Sequence, residues 1–284
     1  MRYAKPKSLD EALAILGDGR WRLIAGGTDF YPTQGNKPLR DDVLDLNGLD
    51  ELRGFSETDK HFIFGARTSW TAIASADLPP AFDMLKLAAR EVGSIQIQNV
   101  GTIAGNLCNA SPAADGMPPL LALDAEVELR SVTGERHLPV QDFILGNRRI
   151  ARRPDELVTA IRVPKRATVG RSHFVKLGAR RYLVISIAMA AARIDADEAG
   201  TITDAAIAVG SCSVVAARLR TLEAAMVGAD AGAALQLIAA YAFDELAPID
   251  DVRATADYRR KAAREIVGRT VAAVIEPARP RVAA

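Results

Sequence analysis

Two short stretches carry residue types that could do chemistry. The first, Ile24-Ala25-Gly26-Gly27-Thr28-Asp29, follows an apolar run with a pair of glycines, a hydroxyl and an acid. Glycine reaches positive φ and lacks a Cβ, so such a pair can turn tightly and aim successive N–H groups at a phosphate or pyrophosphate. A plain β-turn that needs positive φ accounts for an isolated pair as well. The second stretch, Thr102-Ile103-Ala104-Gly105-Asn106, leads into Cys108-Asn109-Ala110-Ser111-Pro112-Ala113-Ala114-Asp115. Small polar groups crowded among Gly and Ala suit a ligand rich in hydroxyls and phosphates. A polar loop feeding the apolar segment Met117 to Leu123, with Asn and Ser capping turns, explains the same residues without a ligand.

Other chemistries find little footing. No G-x-G-x-x-G follows a strand, and neither G-x-x-x-x-G-K-[ST], H-E-x-x-H nor G-x-S-x-G occurs. His61, His137 and His173 stand apart in sequence and from either cysteine, so none is assigned a catalytic or metal-binding role. Cys108 and Cys212 are too few for a tetracysteine zinc site or an iron-sulfur cluster held by four thiolates, so any such cluster sits on another chain.

The elements that must position the two stretches are legible in outline. Ser8-Leu9-Asp10-Glu11 reads as a capping box opening a helix that ends near Gly17. Trp21 to Ala25, Val43 to Leu46, His61 to Ala66, Val127 to Ser131 and Leu157 to Val163 read as strands; Thr68 to Ala76 and Ala81 to Val92 read as helices. The basic segment Pro164 to Arg171, with Pro and Gly, is placed as the linker. Beyond it, strands over Phe174 to Leu177, Val184 to Ile194 and Ile202 to Val209 precede helices over Val214 to Met226, Ala231 to Leu246 and Tyr258 to Ile275, an α+β order. Pro277 to Ala284 reads as a frayed end.

Composition sets the outer bounds. A chain of 284 residues, 49% apolar, holds enough core for two domains. Its 36 Lys and Arg against 35 Asp and Glu give no global field that would hold it on nucleic acid or an anionic membrane. The longest apolar run, Val184 to Ala192, is too short for a bilayer, and the charged N-terminus lacks a secretory pattern, so a cytoplasmic location is expected.

Taken together, AGGTD, TIAGN and SPAAD, with RYAKPKSLDEAL at the start, FVKLGARR after the linker and DYRRKAAREIVGR in the last helix, resemble the FAD-binding medium subunit of molybdenum hydroxylases. That family includes the flavin subunits of xanthine dehydrogenases, carbon monoxide dehydrogenase and 4-hydroxybenzoyl-CoA reductase. The resemblance covers nearly the whole chain. It implies a vanillyl-alcohol-oxidase (PCMH)-type FAD-binding domain over 1–166, of two α/β subdomains (about 1–57 and 58–166). A C-terminal CO-dehydrogenase-flavoprotein-like domain over 171–284, a small antiparallel sheet with helices, completes the site.

It also implies the ligands of the cofactor. Ile24, Ala25, Gly26, Gly27, Thr28 and Asp29, with Thr102, Ile103, Ala104, Gly105 and Asn106, would supply backbone facing the FAD diphosphate, which would explain why Gly26 and Gly27 are bare. Asp115 would meet cofactor hydroxyls; Val158 and Lys176 would flank the flavin or its adenosine half; Gly93 and Tyr182 would approach the ring. Lysine there could stabilise negative charge on a reduced ring. Three positions depart from the family pattern: Ala104 stands for a common glycine, Gln98 for a frequent arginine, and Leu183 for an acid found in NAD-using relatives.

The function so implied is an FAD-carrying electron-transfer subunit. Molybdenum-pterin would sit on a large partner subunit and 2Fe-2S clusters on a small one, the whole a dimer of heterotrimers. A free-standing FAD-dependent reductase and a non-redox scaffold with an empty flavin site are the alternatives. The basic groups Arg148-Arg149, Arg152-Arg153 and Arg259-Arg260-Lys261 read as docking or solvated surface.

Overall fold

The structure is a computed structural model and describes residues 1–181 and 183–275. Tyr182 and residues 276–284, with the end that begins at Pro277, lie outside the described residues.

Three sheets organise the chain. The first is parallel and holds β1 (Tyr3–Ala4), β2 (Arg22–Ile24) and β3 (Val43–Asp45) in the order β1-β3-β2. Parallel neighbours need crossovers. These are α1 (Leu9–Gly17) and the short α2 (Phe30–Gln34), which starts directly after Asp29. The Ser8 hydroxyl accepts the Glu11 N–H, as the capping motif predicts, but the Glu11 carboxylate takes the N–H of Lys7 instead of Ser8. Leu13 and Leu16 of α1 pack with Leu44, Leu49, Leu52 and, from much later in the chain, Leu157.

The second sheet is antiparallel, with β4 (Phe55–Glu57), β5 (His61–Gly65), β6 (Glu126–Ser131), β7 (Gly134–Pro139) and β10 (Leu157–Pro164) in the order β4-β5-β10-β6-β7. Since β4 pairs with β5, this sheet begins before residue 57, where the sequence places the subdomain change. Between β5 and β6 run α3 (Trp70–Ser75), α4 (Asp83–Glu91), α5 (Ile95–Val100), α6 (Ile103–Asn109) and α7 (Met117–Ala122). Their apolar faces enclose Phe64, Trp70, Phe82, Leu85, Leu107, Val127 and Ile161. The excursion between β7 and β10 holds α8 (Val140–Phe143) and the two-stranded ribbon β8 (Ile144–Gly146) and β9 (Arg149–Ile150).

The third sheet, antiparallel, runs β11 (Arg171–Leu177), β12 (Ala188–Ala196), β13 (Ile202–Gly210) and β14 (Ala217–Arg218), followed by α9 (Arg220–Met226), α10 (Ala231–Ala240) and α11 (Ala256–Ile275). It is buried on both faces. Along β12, Ala188, Ala190 and Ala192 join the core under α9, α10 and α11, whereas Met189 and Ala191 join the core of the second sheet. Side chains alternate across a strand, so a continuous run of small apolar residues is what a sheet sandwiched between two cores requires. The C-terminal sheet therefore packs directly on α4 and α7, the helices either side of the second glycine-bearing stretch.

Three expectations change here. The strand predicted over Val184 to Ile194 starts at Ala188, because residues 183–185 lie outside the sheet along a cleft and Ser186 turns to Asp115. The helix predicted from Val214 forms only from Arg220, after Ala217 and Arg218 have paired with β13. The helix predicted to Leu246 ends at Ala240, ahead of Phe243, whose φ of 62° cannot continue it.

The 151–156 loop beside the ribbon is pinned by Glu156, which accepts from Arg136 Nε at 2.5 Å and Nη2 at 2.7 Å and from the Arg153 N–H at 2.7 Å. Burial opposes the ionised form, but these donors together hold the Glu156 carboxyl below its ordinary 4.5. A lowered carboxyl stabilises the fold above its unfolded value and loses that contribution as pH falls through the folded one. The thermal midpoint is therefore expected to drop on acidification below about pH 4.5 less steeply in Glu156→Gln than in the unaltered chain, as scanning calorimetry across that range would show.

Candidate functional site

The three sheets converge on a cleft of about 1050 Å³. That is at the upper end of the size range of small-molecule sites. Ile24 to Asp29 form one wall and Gly101, Thr102, Ala104, Gly105 and Asn106 the facing one. Asp115, Gly93 and Val158 line it from the second unit, and Lys176 with Leu183 to Ile185 from the third. Ile103 does not: its side chain is fully buried in the core and its N–H donates to Thr68 O at 3.0 Å.

The first wall presents a row of unpaired backbone N–H groups to the cleft. Strand β2 ends at Ile24 and helix α2 begins at Phe30, and among the described residues the N–H groups of Gly26, Gly27, Thr28 and Asp29 donate to no protein atom. Successive unpaired amides beside a cavity are costly unless a ligand or water takes them. The loop is braced from behind: Asn47 Nδ2 donates to Ala25 O at 2.8 Å, and Arg67, 4% exposed, donates to Asn47 Oδ1 and Leu49 O, each at 2.8 Å. A guanidinium so held puts a fixed positive charge beneath the loop.

The two glycines have separate structural reasons, which corrects the expectation that cofactor contact alone keeps them bare. A Cβ on Gly26 would lie 2.0 Å from Val100 O, so it is the approach of the second wall's backbone that excludes a side chain. Gly27 has φ of 74°, a left-handed conformation that side chains resist.

The second wall also differs from expectation. TIAGN is the opening turn of α6, with Thr102 as its N-cap and Thr102 Oγ1 accepting the Gly105 N–H at 3.1 Å. Ile103 and Ala104 donate to Thr68 and Ala66 carbonyls, and Asn106 to Thr102 O. The N–H groups of 103–106 are thus already taken, and what this wall offers is side chain: Asn106 lines the cleft, while its Oδ1, beside Gly116 and shielded from solvent, has no partner. Ala104 sits inside the helix with ordinary negative φ, so its methyl is accommodated.

Asp115 and Lys176 form a buried ion pair across the junction of the second and third sheets. Lys176 Nζ lies 2.8 Å from Asp115 Oδ2 and donates to Glu91 O at 3.2 Å; the Ser186 hydroxyl, fully buried, donates to Asp115 Oδ1 at 3.0 Å. Burial pushes the Asp115 carboxyl above its ordinary 3.8 against the pull of Lys176 and Ser186. Lys176 therefore reaches the cleft with its charge compensated by Asp115.

Other groups were not foreseen. Cys108 lines the cleft and burial pushes its thiol to about 11, which leaves it unreactive. His61 and His137, separate in sequence, meet through Arg162: Nη1 is 2.6 Å from His137 Nε2 and Nη2 3.3 Å from His61 Nδ1. Donor atoms of Glu128, Glu135 and His137 cluster within 4.8 Å, but the Arg162 guanidinium already occupies the centre, 3.5 Å from Glu128 Oε2. Arg259, read as surface, is 2% exposed. No helix among the described residues is long and apolar enough to cross a membrane.

Comparison with known proteins agrees with this layout. Residues 1–166 match the FAD binding domain in molybdopterin dehydrogenase, and residues 173–274 the CO dehydrogenase flavoprotein C-terminal domain. The chain belongs to this FAD-binding flavoprotein family. Among its relatives, the nicotinate dehydrogenase FAD-subunit of Eubacterium barkeri is 34% identical over 80% of this chain and 79% of its own. The 6-hydroxypseudooxynicotine dehydrogenase complex subunit alpha of Paenarthrobacter nicotinovorans is 30% identical over 98% and 95%. The CO dehydrogenase structure from Oligotropha carboxidovorans superposes with a TM-score of 0.88 at 27% identity, covering 97% of both chains. The mixed helix and sheet architecture is thus that of a flavoprotein medium subunit. FAD, with its doubly anionic diphosphate and many hydroxyl groups, suits a cleft with four free amides along one wall.

Proposed function

We propose that this chain is the FAD-carrying electron-transfer subunit of a cytoplasmic molybdenum hydroxylase. It would relay electrons from 2Fe-2S clusters of a small partner subunit to an external acceptor, with the molybdopterin centre on a large partner and the assembly a dimer of heterotrimers. The observation that carries the reading is the row of unpaired N–H groups from Gly26 to Asp29 at the cleft wall. The names of the relatives, subunits of nicotinate and 6-hydroxypseudooxynicotine dehydrogenases, support the wider assembly.

Bound FAD supplies chemistry in which electrons pass singly or in pairs. The residues of this chain bind and orient. The Gly26–Asp29 amides would hold the diphosphate oxygens, where charge-assisted hydrogen bonds would replace lost water. The Asn106 side chain would border the cofactor, Val158 and Gly93 would shape the apolar and tight parts of the cleft, and the Asp115–Lys176 pair would present a fixed dipole. Among the described residues, no side chain of the cleft is arranged as a general acid, base or nucleophile.

The test is direct. The full chain isolated with its neighbours should be yellow, release FAD on denaturation and co-purify with one molybdenum and one iron-sulfur chain. A yellow chain that oxidises a reduced nicotinamide alone, without partners, would favour the free-standing reductase. A folded, colourless chain that takes up no added FAD would overturn the reading in favour of a scaffold.

A further inference from the structure

The last helix carries a buried guanidinium that the cleft itself does not explain. Arg259, in the first turn of α11, does not line the cleft, yet it is fixed by three partners: Ile187 O at 2.6 Å, Ser211 O at 3.0 Å and Asp251 Oδ1 at 2.7 Å. Ile187 is the residue after Ser186, and Ser211 follows the end of β13. One side chain thus ties together the ends of β12 and β13 nearest the cleft.

The segment just before Ile187 is a strap with few other holds. Leu183 is 54% exposed with φ of 50°, and Ile185 is 60% exposed, yet residues 183–185 line the cleft. At its near end the Leu183 carbonyl accepts from Arg180 at 3.2 Å. At its far end the Ser186 hydroxyl reaches Asp115, and Ile187 donates to Leu177 O at 2.8 Å while its carbonyl is held by Arg259. Burying a guanidinium is costly unless its donors are used. Here Nη1 and Nη2 are spent on a carboxylate and two backbone carbonyls while Nε stays buried without a partner, which is an arrangement for fixing backbone and not for meeting solvent.

We infer that Arg259 is a positioning residue for the flavin site: by clamping Ile187 it sets Ser186 against Asp115, and so fixes the Asp115–Lys176 pair and the 183–186 strap that border the cofactor. This rests on the flavin reading above and adds to it a dependence of the cleft on a helix that never touches it. A consequence is that Arg259 and Ser186 act as one unit. Neighbours in one hydrogen-bond network show coupled effects, whereas independent contributions to stability add.

The experiment is a double-mutant cycle on the full chain with Arg259→Lys and Ser186→Ala, read as the dissociation constant for added FAD and as the visible circular dichroism of the bound flavin. Each single change is expected to weaken FAD by about tenfold, the size of one lost charge-assisted hydrogen bond, and to alter the dichroism in the same sense. The double variant should be little worse than either single one. Additive losses, or unaltered FAD affinity and dichroism in folded Arg259→Lys, would overturn the inference while leaving the flavin reading intact. Should Arg259→Lys not fold, Asp251→Asn loosens the same guanidinium and replaces it in the cycle. Failure of the unaltered chain to bind FAD would overturn both.

Discussion

Gly26→Val is expected to abolish flavin retention. The added Cβ would sit 2.0 Å from Val100 O, 2.7 Å from its carbonyl carbon and 3.0 Å from Gly101 Cα, all backbone atoms that cannot swing aside. The two walls must part, and the amides of Gly26 to Asp29 lose their shared orientation. If two charge-assisted hydrogen bonds to the diphosphate are lost, at about 1.5–3 kcal/mol each, FAD binding weakens by at least about a hundredfold. Equilibrium dialysis with FAD, alongside near-ultraviolet circular dichroism to confirm folding, measures this. Gly27→Ala should be milder, since it adds the left-handed backbone penalty of about 1–2 kcal/mol and a contact with the movable Tyr31 ring. A folded Gly26→Val chain holding FAD as firmly as the original would show that the two walls do not bind it together.

Asp115→Ala should have the largest effect on stability. It leaves the Lys176 ammonium, 6% exposed, with only Glu91 O at 3.2 Å and takes from Ser186 its acceptor. Removing one partner of a buried pair strands the other charge, at a cost of about 3–5 kcal/mol. Denaturant unfolding should report that loss for the single variant. The pair Asp115→Leu with Lys176→Met, which strands no charge, should recover most of it. If the single variant unfolds like the original, Lys176 is solvated in a way that its contacts with Asp115 and Glu91 contradict.

How much of this could be read from the residues alone follows from how local each cause is. Ser8 capping α1, the near-continuous apolar run of β10 and the continuous small-residue run of β12 act over a few residues, so their patterns survive in the sequence. The two glycine-bearing stretches were visible by composition. Their division of labour was not, because Gly26 is constrained by Val100 and the N–H groups of Ile103 and Ala104 are taken by Thr68 and Ala66, contacts no spacing rule encodes. The missed helix over TIAGN did leave a signal: a threonine followed three residues later by an N–H that its hydroxyl can cap.

The departure of residues 183–187 from the sheet had no such signal. Leu-Val-Ile-Ser-Ile reads as strand, and only Ser186 meeting Asp115 and Arg259 meeting Ile187 pull it aside. Arg259 itself looked like one charge among several in DYRRKAAREIVGR, and its burial is set by partners on two other strands. His61 and His137 likewise meet only because β5 and β7 flank strands that share Arg162.

The central claim is that the N–H groups of Gly26 to Asp29 hold the cofactor's diphosphate. Amide hydrogen exchange, followed by mass spectrometry on the full chain before and after FAD is restored, addresses those four groups directly. The account predicts fast exchange from Gly26 to Asp29 without FAD, strong slowing with it, and little change for the N–H groups of 103–106, which are already bonded within the protein. FAD that binds while leaving the exchange of Gly26 to Asp29 unaltered would contradict it.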